Sequence, residues 1–404
     1  MTATRIGRLA TLVVFCAAWL AAAAFLWRTS VPSSIDVGGL DPHRFFSAHE
    51  LARAANYQRV VDGLWAGHLL AEVIALAVLA WRAPKLARTI GLGRVGTGVI
   101  IAMLMLVTLW FVSLPFGLAE QWWDARHGLA PHDYVSWIFQ PWAELSFEAF
   151  FALIGVLTLL GLAGWLGDRW WLVGAPIFVV IVAAFAFLFG YVAEVGTHRV
   201  ESARLRSEVR ALERREHVTG TPVHVQDVSD VTNQANAYSS GFGPSANVVI
   251  WDTLLDGRFT PGEVRVVVAH ELGHIRHRHV LKGVAWSALL IVPILWLMTV
   301  VARRRGGIAN PVALPLALLT LVVLNFLAAP IGNIVSRRYE AEADWSALNA
   351  TRDAASARKL FIGFQRTSLQ EPDPPTWDYL WLENHPTLAQ RIAMVEAWAK
   401  RASR

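Results

Sequence analysis

Seven apolar stretches, each close to the length of a membrane-spanning helix, constrain the fold of this chain more than any other feature. Such a helix needs about 20 apolar residues. The stretches lie near residues 9–27, 63–81, 95–117, 149–166, 170–193, 283–302 and 310–332. Only 17% of the residues are charged, compared with about 25% in soluble domains. The sequence therefore predicts a mainly α, polytopic membrane protein with about seven transmembrane helices.

Two polar regions remain outside these stretches, at residues 196–281 and 336–404. Each is small for a hydrophobic core of its own, so we expect them to meet in space. We predict an N-terminal membrane domain, 1–195, with five transmembrane helices. The second domain, 196–404, is interrupted by a transmembrane hairpin at about 283–332. For the first stretch alone, a signal peptide is the alternative, because Arg5 and Arg8 precede it.

The first polar region combines short strands with a well-capped helix. Residues 223–225, 236–238 and 248–251 have the composition of strands, and a glycine-rich turn separates the last two. Thr260 is a good N-cap, Pro261 suits the first helical turn, and Glu263 completes a capping box. We therefore predict a small α+β unit with a helix that begins at residue 261.

That helix carries the motif H-E-x-x-H at residues 270–274. Two histidines four residues apart are separated by about 40° around a helix, so His270 and His274 face the same side. Such a pair can bind zinc, and Glu271 between them can act as general base on a metal-activated water. By itself the motif also occurs by chance on solvated helices, so a third ligand decides its meaning.

The third ligand is predicted on a second helix. A pattern with a third histidine six residues after the motif would need glycine at position 277 and histidine at 280; the chain has His277 and Val280. Glu340 and Asp344 share one helix face, so Glu340 can bind the metal while Asp344 orients a histidine ligand. Glu342 lies roughly 200° from Glu340 and is expected to point away. A solvated charged face is the alternative for this segment.

The segment around Glu340 resembles a motif of the type I CAAX prenyl endopeptidases, membrane zinc proteases related to HtpX. The resemblance rests on Asn333, Ser336, Arg337, Glu340 and Asp344 at their spacing. Further matching segments follow the same order along the chain: Asn236-Ala237-Tyr238 with Gly241, residues 249–255, His385-Pro386 with Arg391-Ile392, and Leu114-Pro115-Phe116 with the loop through His127-Gly128. The resemblance extends over nearly the whole chain, although the N-terminal half matches only in outline.

The resemblance implies a zincin-like metalloprotease domain that binds one Zn²⁺ per chain through His270, His274 and Glu340, with Glu271 as base. It implies that His385 and Arg391 lie at the cleft and contact substrate or the oxyanion. By the same resemblance, the strand Asn236-Ala237-Tyr238 holds an extended peptide at its edge. The predicted partners are the lipid bilayer and a peptide or protein substrate, with membrane-associated proteins among the candidate substrates.

Other functions are less compatible with the sequence. Cys16 is the single cysteine, so no disulfide and no thiolate metal site can form within the chain. The net charge is only +5, and the sequence lacks the basic stretches typical of a nucleic-acid-binding groove. Arginines at 265, 276 and 278 flank the motif, which disfavours an intramembrane-cleaving protease. An HtpX-like quality-control protease and a non-enzymatic sensor or scaffold with a vestigial site remain the alternatives.

Two further expectations concern the motif's surroundings. We interpret His277 and His279 as the polar end of the helix at the membrane surface. Charge at the loops 82–94 and 303–305 predicts that these loops are cytoplasmic and that the zinc domain is outside. The family resemblance implies a cytoplasmic active site instead. The sequence thus predicts a multi-pass protein, expected in the cell membrane, and leaves the side of the active site open.

Overall fold

The computed structural model describes the backbone of residues 3–35, 38, 40–131 and 134–403, and the side chains of these residues except 3–9, 11, 12, 134–144, 146–148, 150 and 151. Helices dominate the described part of the chain. In chain order its helices and strands are α1 (Ala3–Leu26), α2 (Ala48–Ile90), α3 (Gly93–His127), α4 (Tyr134–Leu166), α5 (Trp171–Val192), β1 (Thr197–Arg199), α6 (Ala203–Glu216), β2 (Val223–Gln226), β3 (Ala237–Ser240), β4 (Asn247–Trp251), α7 (Pro261–Arg276), α8 (His279–Ala302), α9 (Leu314–Thr351), α10 (Ala354–Ser368), α11 (Thr376–Trp381) and α12 (Leu388–Ala402).

Within the described residues, 6 helices are long and apolar enough to cross a membrane. They are α2, α3, the segment Ala152–Arg169 at the end of α4, α5, α8 and α9. These confirm six of the predicted spans and an integral, multi-pass membrane protein. The first predicted span falls in α1, whose described apolar part, Val13–Leu26, is shorter.

A 4-stranded sheet forms one wall of the polar part, with strand order β1-β2-β4-β3. The central pair, β2 and β4, is parallel, and β3 pairs antiparallel with β4, with Ala237 opposite Ile250. The three predicted strands are confirmed. The sequence did not reveal β1, because its 3 residues are too few to show an alternating pattern. As the last strand in the order, β3 is an edge of the sheet.

The two polar regions share one hydrophobic core, as their small size led us to expect. Buried side chains come from the sheet (Ile250), from α7 (Leu272), from α9 (Leu348) and from α12 (Ile392). All four are at most 2% exposed. The core therefore packs α7 against the C-terminal part of α9. The N-terminal part of α9 forms the membrane hairpin with α8.

Candidate metal centre

Helix α7 begins at the capping box predicted from the sequence. The Thr260 side chain accepts a hydrogen bond from the backbone N–H of Glu263, and the Glu263 carboxylate accepts one from the backbone N–H of Thr260 at 2.6 Å. Capping satisfies N–H groups that the first helical turn leaves without partners. The capping box also fixes the residue at which the helix begins. His270 and His274 lie on one face of this helix, toward α9.

Helix α9 approaches α7 closely at the motif. A Cβ atom added at Gly273 would lie 3.1 Å from the Ser346 Cβ and 3.3 Å from the Ala343 Cα. Because glycine has no side chain, the α7 backbone at residue 273 can pack directly against α9. This packing brings Glu340 and Asp344, one turn apart on α9, opposite the two histidines.

The three predicted metal ligands converge. One ligand atom from each of His270, His274 and Glu340 lies within 4.8 Å of the other two. The Nε2 atoms of the two histidines are 3.1 Å apart, and the Glu340 carboxylate oxygens lie 3.2 Å from Nε2 of His270 and 3.5 Å from Nε2 of His274. Two imidazole nitrogens and one carboxylate oxygen are a set of ligands that zinc prefers in proteins.

The charges around this group favour a cation. Burial lowers the pKa of His270, but the hydrogen bonds and charges of Asp344 and Glu340 outweigh it and raise the pKa to about 10. The two carboxylates thus stabilise positive charge where the three ligand atoms meet. A divalent ion supplies that charge as a proton does, so the residues fit a metal ion.

Asp344 connects a histidine to an arginine beneath the centre. Its carboxylate accepts from Nδ1 of His270 at 2.8 Å, and from Nε and Nη2 of Arg391 at 2.8 and 2.6 Å. The Arg391 guanidinium also lies over the Phe361 ring, 4.2 Å from its centroid. With Nδ1 of His270 donating to Asp344, Nε2 is the nitrogen left for a metal. Arg391, predicted to contact substrate, is held by this ion pair at the wall of the cleft.

Glu271 is buried beside the same group and faces the edge strand. The Ser239 side chain on β3 hydrogen-bonds to its carboxylate. Burial raises the pKa of Glu271 above its ordinary value, while the charges of His270 and His274 oppose the rise. The predicted base is therefore placed between the predicted metal ligands and the strand predicted to hold substrate.

His385 reaches the centre from the segment between α11 and α12. Its Nε2 atom lies 3.3 Å from the Glu340 carboxylate, and Nδ1 lies 2.6 Å from the Asn384 side-chain oxygen. Its side chain is 44% exposed, and the residue lines the cavity beside the metal ligands. The sequence alone placed His385 only through a family resemblance, and the structure brings it to the centre.

The predicted substrate strand borders a small cavity next to the metal ligands. Asn236 and Ala237 line this cavity of about 80 Å³, together with Glu271, His385 and Arg391 and apolar side chains of α7 and α10. The Asn236 carbonyl accepts from the backbone N–H of Trp251, which ties the strand to β4. The Tyr238 hydroxyl group bonds to the Gln226 side chain at 3.3 Å, so this side chain is turned toward the sheet.

Two residues that the sequence set aside lie directly behind the centre. His279 was expected at a solvated helix end, yet it is only 7% exposed and touches His274. Glu342 does point away from Glu340, but it is 2% exposed and bonds to His279. The expectation of a polar helix end is wrong for His279, because α9 covers that side of the helix start. The sequence did contain a signal for this arrangement. His277 and His279 follow the metal motif closely, and Glu342 lies two residues after the proposed third ligand.

Comparisons with known proteins point to one family. Residues 199–399 match the model of peptidase family M48. An uncharacterized metalloprotease, YhfN of Bacillus subtilis, is 26% identical in an alignment 401 residues long that covers 91% of this chain and 90% of that protein. A CAAX prenyl protease 1 homolog of Oryza sativa subsp. japonica is 28% identical in an alignment 180 residues long that covers 43% of this chain and 42% of that protein.

The crystal structure of S. mikatae Ste24p has the same fold. It superposes with a TM-score of 0.74 over 94% of this chain and 96% of that chain, at 19% sequence identity. At 19% identity the match shows a common fold and nothing more. It extends across both the membrane helices and the polar part of the chain.

Proposed function

Because this chain belongs with the CAAX-protease-like membrane metalloproteases, we propose that it is a zinc-dependent endopeptidase with one zinc ion per chain. His270, His274 and Glu340 would hold the ion. The observation that carries the proposal is the meeting of these three ligand atoms, within 4.8 Å, beside a buried glutamate and the edge strand of the sheet. When bound, zinc supplies Lewis-acid polarisation of a carbonyl and activation of water.

Glu271 is the proposed general base. Its carboxylate accepts a proton from the water that attacks the scissile carbonyl carbon, and it then donates this proton to the leaving nitrogen. The Ser239 hydroxyl group holds the carboxylate toward the strand. Burial keeps bulk water from competing for the proton.

His385 is proposed to stabilise the oxyanion that develops on the substrate carbonyl. Its ring is partly exposed to the cleft and lies 3.3 Å from Glu340, one of the proposed ligands. An N–H donor at this place can bond to negative charge that forms only in the transition state. Arg391 is proposed to support the same wall of the cleft, through its two bonds to Asp344 and its positive charge.

The edge of β3 is proposed to bind the substrate backbone. An extended peptide can add to an unpaired strand edge through main-chain hydrogen bonds. Asn236, Ala237 and Tyr238 would form this contact beside Glu271. The proposed substrate is a peptide or protein.

Replacing the proposed base tests this function. Glu271→Gln removes the proton acceptor but no metal ligand, so we expect about one zinc per chain and at least about a 100-fold loss of peptide cleavage. Zinc content would be measured on the purified full chain by elemental analysis, and cleavage with a quenched-fluorescence peptide. The same variant can retain substrates for identification by mass spectrometry.

Glu208→Gln is the matched control, since Glu208 pairs with Arg204 on α6 and is not part of the metal centre. It should keep both zinc and cleavage. Full cleavage by Glu271→Gln, or wild-type protein that binds no metal, would overturn the proposal.

A further inference from the structure

The second ring nitrogen of His274 has a partner of its own. Nδ1 of His274 lies 2.9 Å from Nδ1 of His279, and Nε2 of His279 lies 3.0 Å from the Glu342 carboxylate. The His279 and Glu342 side chains are only 6% and 3% exposed. A continuous, buried line of hydrogen bonds therefore runs from a proposed metal ligand on α7 to a carboxylate on α9.

The chemistry of these groups dictates where each proton sits. An ionised carboxylate only accepts hydrogen bonds, so Nε2 of His279 carries a proton and donates it to Glu342. In neutral His279 the other nitrogen, Nδ1, is then an acceptor. Nδ1 of His274 must donate to it, which leaves Nε2 of His274 with the lone pair that a metal needs.

Surrounding side chains keep Glu342 ionised and in place. The Lys282 ammonium group lies 3.2 Å from one carboxylate oxygen, and Nδ1 of His277 lies 3.4 Å from the other. The backbone N–H of Ser30, after α1, also donates to this carboxylate. Charged and polar donors thus compensate a carboxylate that would otherwise be costly to bury.

A tyrosine fixes the plane of the connecting ring. The Tyr339 ring stacks on His279 at 4.7 Å between centroids and 10° between planes. Its hydroxyl group donates to the Leu26 carbonyl and accepts from Trp286. The stacked Tyr339 ring and the bond to Glu342 together restrict the orientation of the His279 ring.

We propose that His279 and Glu342 are positioning residues for His274, equivalent to what Asp344 does for His270. They hold the ring of His274 and keep its metal-facing nitrogen unprotonated. The inference rests on the proposed zinc site. It adds that both histidines are oriented from behind, one by a carboxylate directly and the other through a second histidine.

Loss of the connecting ring should weaken metal binding rather than substrate binding. Partners of this kind contribute about 10- to 100-fold to metal affinity, so we expect His279→Ala to lower zinc affinity by that factor in chelator competition. The visible absorption of the Co²⁺-substituted protein should also change, because the His274 ring can then tilt. In cleavage assays kcat should fall, with KM unchanged.

Two companion variants separate positioning from stability. His277→Ala removes a neighbouring imidazole that also contacts Glu342 but has no hydrogen bond to His274 within the described residues. It should lower zinc affinity less than His279→Ala does and leave the Co²⁺ spectrum unchanged. His279→Gln offers an amide oxygen as acceptor and should restore part of the affinity that His279→Ala loses.

The outcomes distinguish this inference from the proposed function. Unchanged zinc affinity and Co²⁺ spectrum in His279→Ala, or an equal loss in His277→Ala, would overturn the positioning role and leave the zinc peptidase intact. Wild-type protein without metal would overturn both.

Discussion

Asp344 joins two side chains from different helices, α7 and α12, at a buried position. The carboxylate is 4% exposed, and it bonds to the His270 ring and, through two bonds, to the Arg391 guanidinium. Paired bonds between arginine and a carboxylate are short and directional. The carboxylate therefore sets the orientation of a proposed metal ligand, and it also prevents Arg391 from being a buried charge without a partner.

We expect Asp344→Asn to weaken both metal binding and folding. The amide can no longer accept from His270 and Arg391 as an anion, so zinc affinity should fall about 10- to 100-fold. Removing one partner of a buried ion pair costs about 3–5 kcal/mol. Chelator competition and thermal unfolding in detergent would measure the two effects.

Asp353→Asn provides the control for this variant. Asp353 makes an ion pair with Arg265 at 2.7 Å, but at 25% exposure and outside the metal centre. It should leave zinc affinity unchanged and lower stability less. Equal effects of the two substitutions would show that Asp344 has no special role.

At the scale of elements, two long helices place the chemistry. Helix α9 is continuous for 38 residues, and it carries both an apolar span and Glu340. Helix α7 ends just before α8 enters the membrane segment. A site on rigid helices is held more accurately than one on loops. The membrane hairpin is thus part of what brings Glu340 to His270 and His274.

The short helix α11 carries a carboxylate with no visible partner. Asp378 is 0% exposed, and neither of its carboxylate oxygens has a hydrogen-bond partner among the described residues. Burial raises the pKa of Asp378 to about 7, and the charges of Asp62, Glu383 and Glu371 add to the rise. The segment that leads to His385 therefore contains a buried carboxyl group whose protonated form is favoured by folding.

The stability of the protein should depend on this proton. Asp378 has a pKa near 3.8 when unfolded and about 7 when folded, so the folded state binds more protons between these values. Its stabilising effect is complete below pH 4 and is lost as pH rises through 7. We expect Asp378→Asn to have a higher Tm than wild type at pH 8, with the difference shrinking toward pH 5.

Asp373→Asn tests whether this effect is specific, because Asp373 is exposed on the same segment. Its Tm should follow that of the wild type across this pH range. A parallel pH dependence in Asp378→Asn and wild type would contradict the assignment.

At the scale of the whole molecule, the arginine-rich turn between α8 and α9 lies against the loop that follows α4. Nε of Arg303, in the turn between α8 and α9, donates to the Asp168 carboxylate after α4 at 2.8 Å. Helices α8 and α9 separate this turn from the metal centre. The positive-inside rule predicts that the loops 82–94 and 303–305 are cytoplasmic and that the metal centre is on the outer side. The side of the metal centre stays a prediction.

A reporter fused after residue 404 tests this orientation. From the charge of the turns we expect alkaline-phosphatase activity, since this enzyme folds only outside the cytoplasm. A fusion after residue 305 is the control and should be inactive. The reverse pattern would place the centre in the cytoplasm, as the resemblance to CAAX endopeptidases implies.

Local periodicity determined much of this protein. The apolar stretches, the capping box at Thr260 and the spacing of His270 and His274 each depend on residues close together in the sequence. The structure agrees with the capping box, with the spacing and with six of the seven apolar stretches. Glu340 and Asp344 followed from the same helical spacing. The division at residue 196 and the roles assigned to the site residues stay predictions.

Only the tertiary structure decided what lies behind the metal centre. The angle of Glu342 on its helix correctly excluded contact with the metal group. It could not show that His279, 63 positions earlier, would occupy the space on that side. Spacing along one helix defines a direction, whereas the partner in that direction depends on how α7, α8 and α9 pack. Two residues that looked like a solvated surface therefore form the buried support of His274.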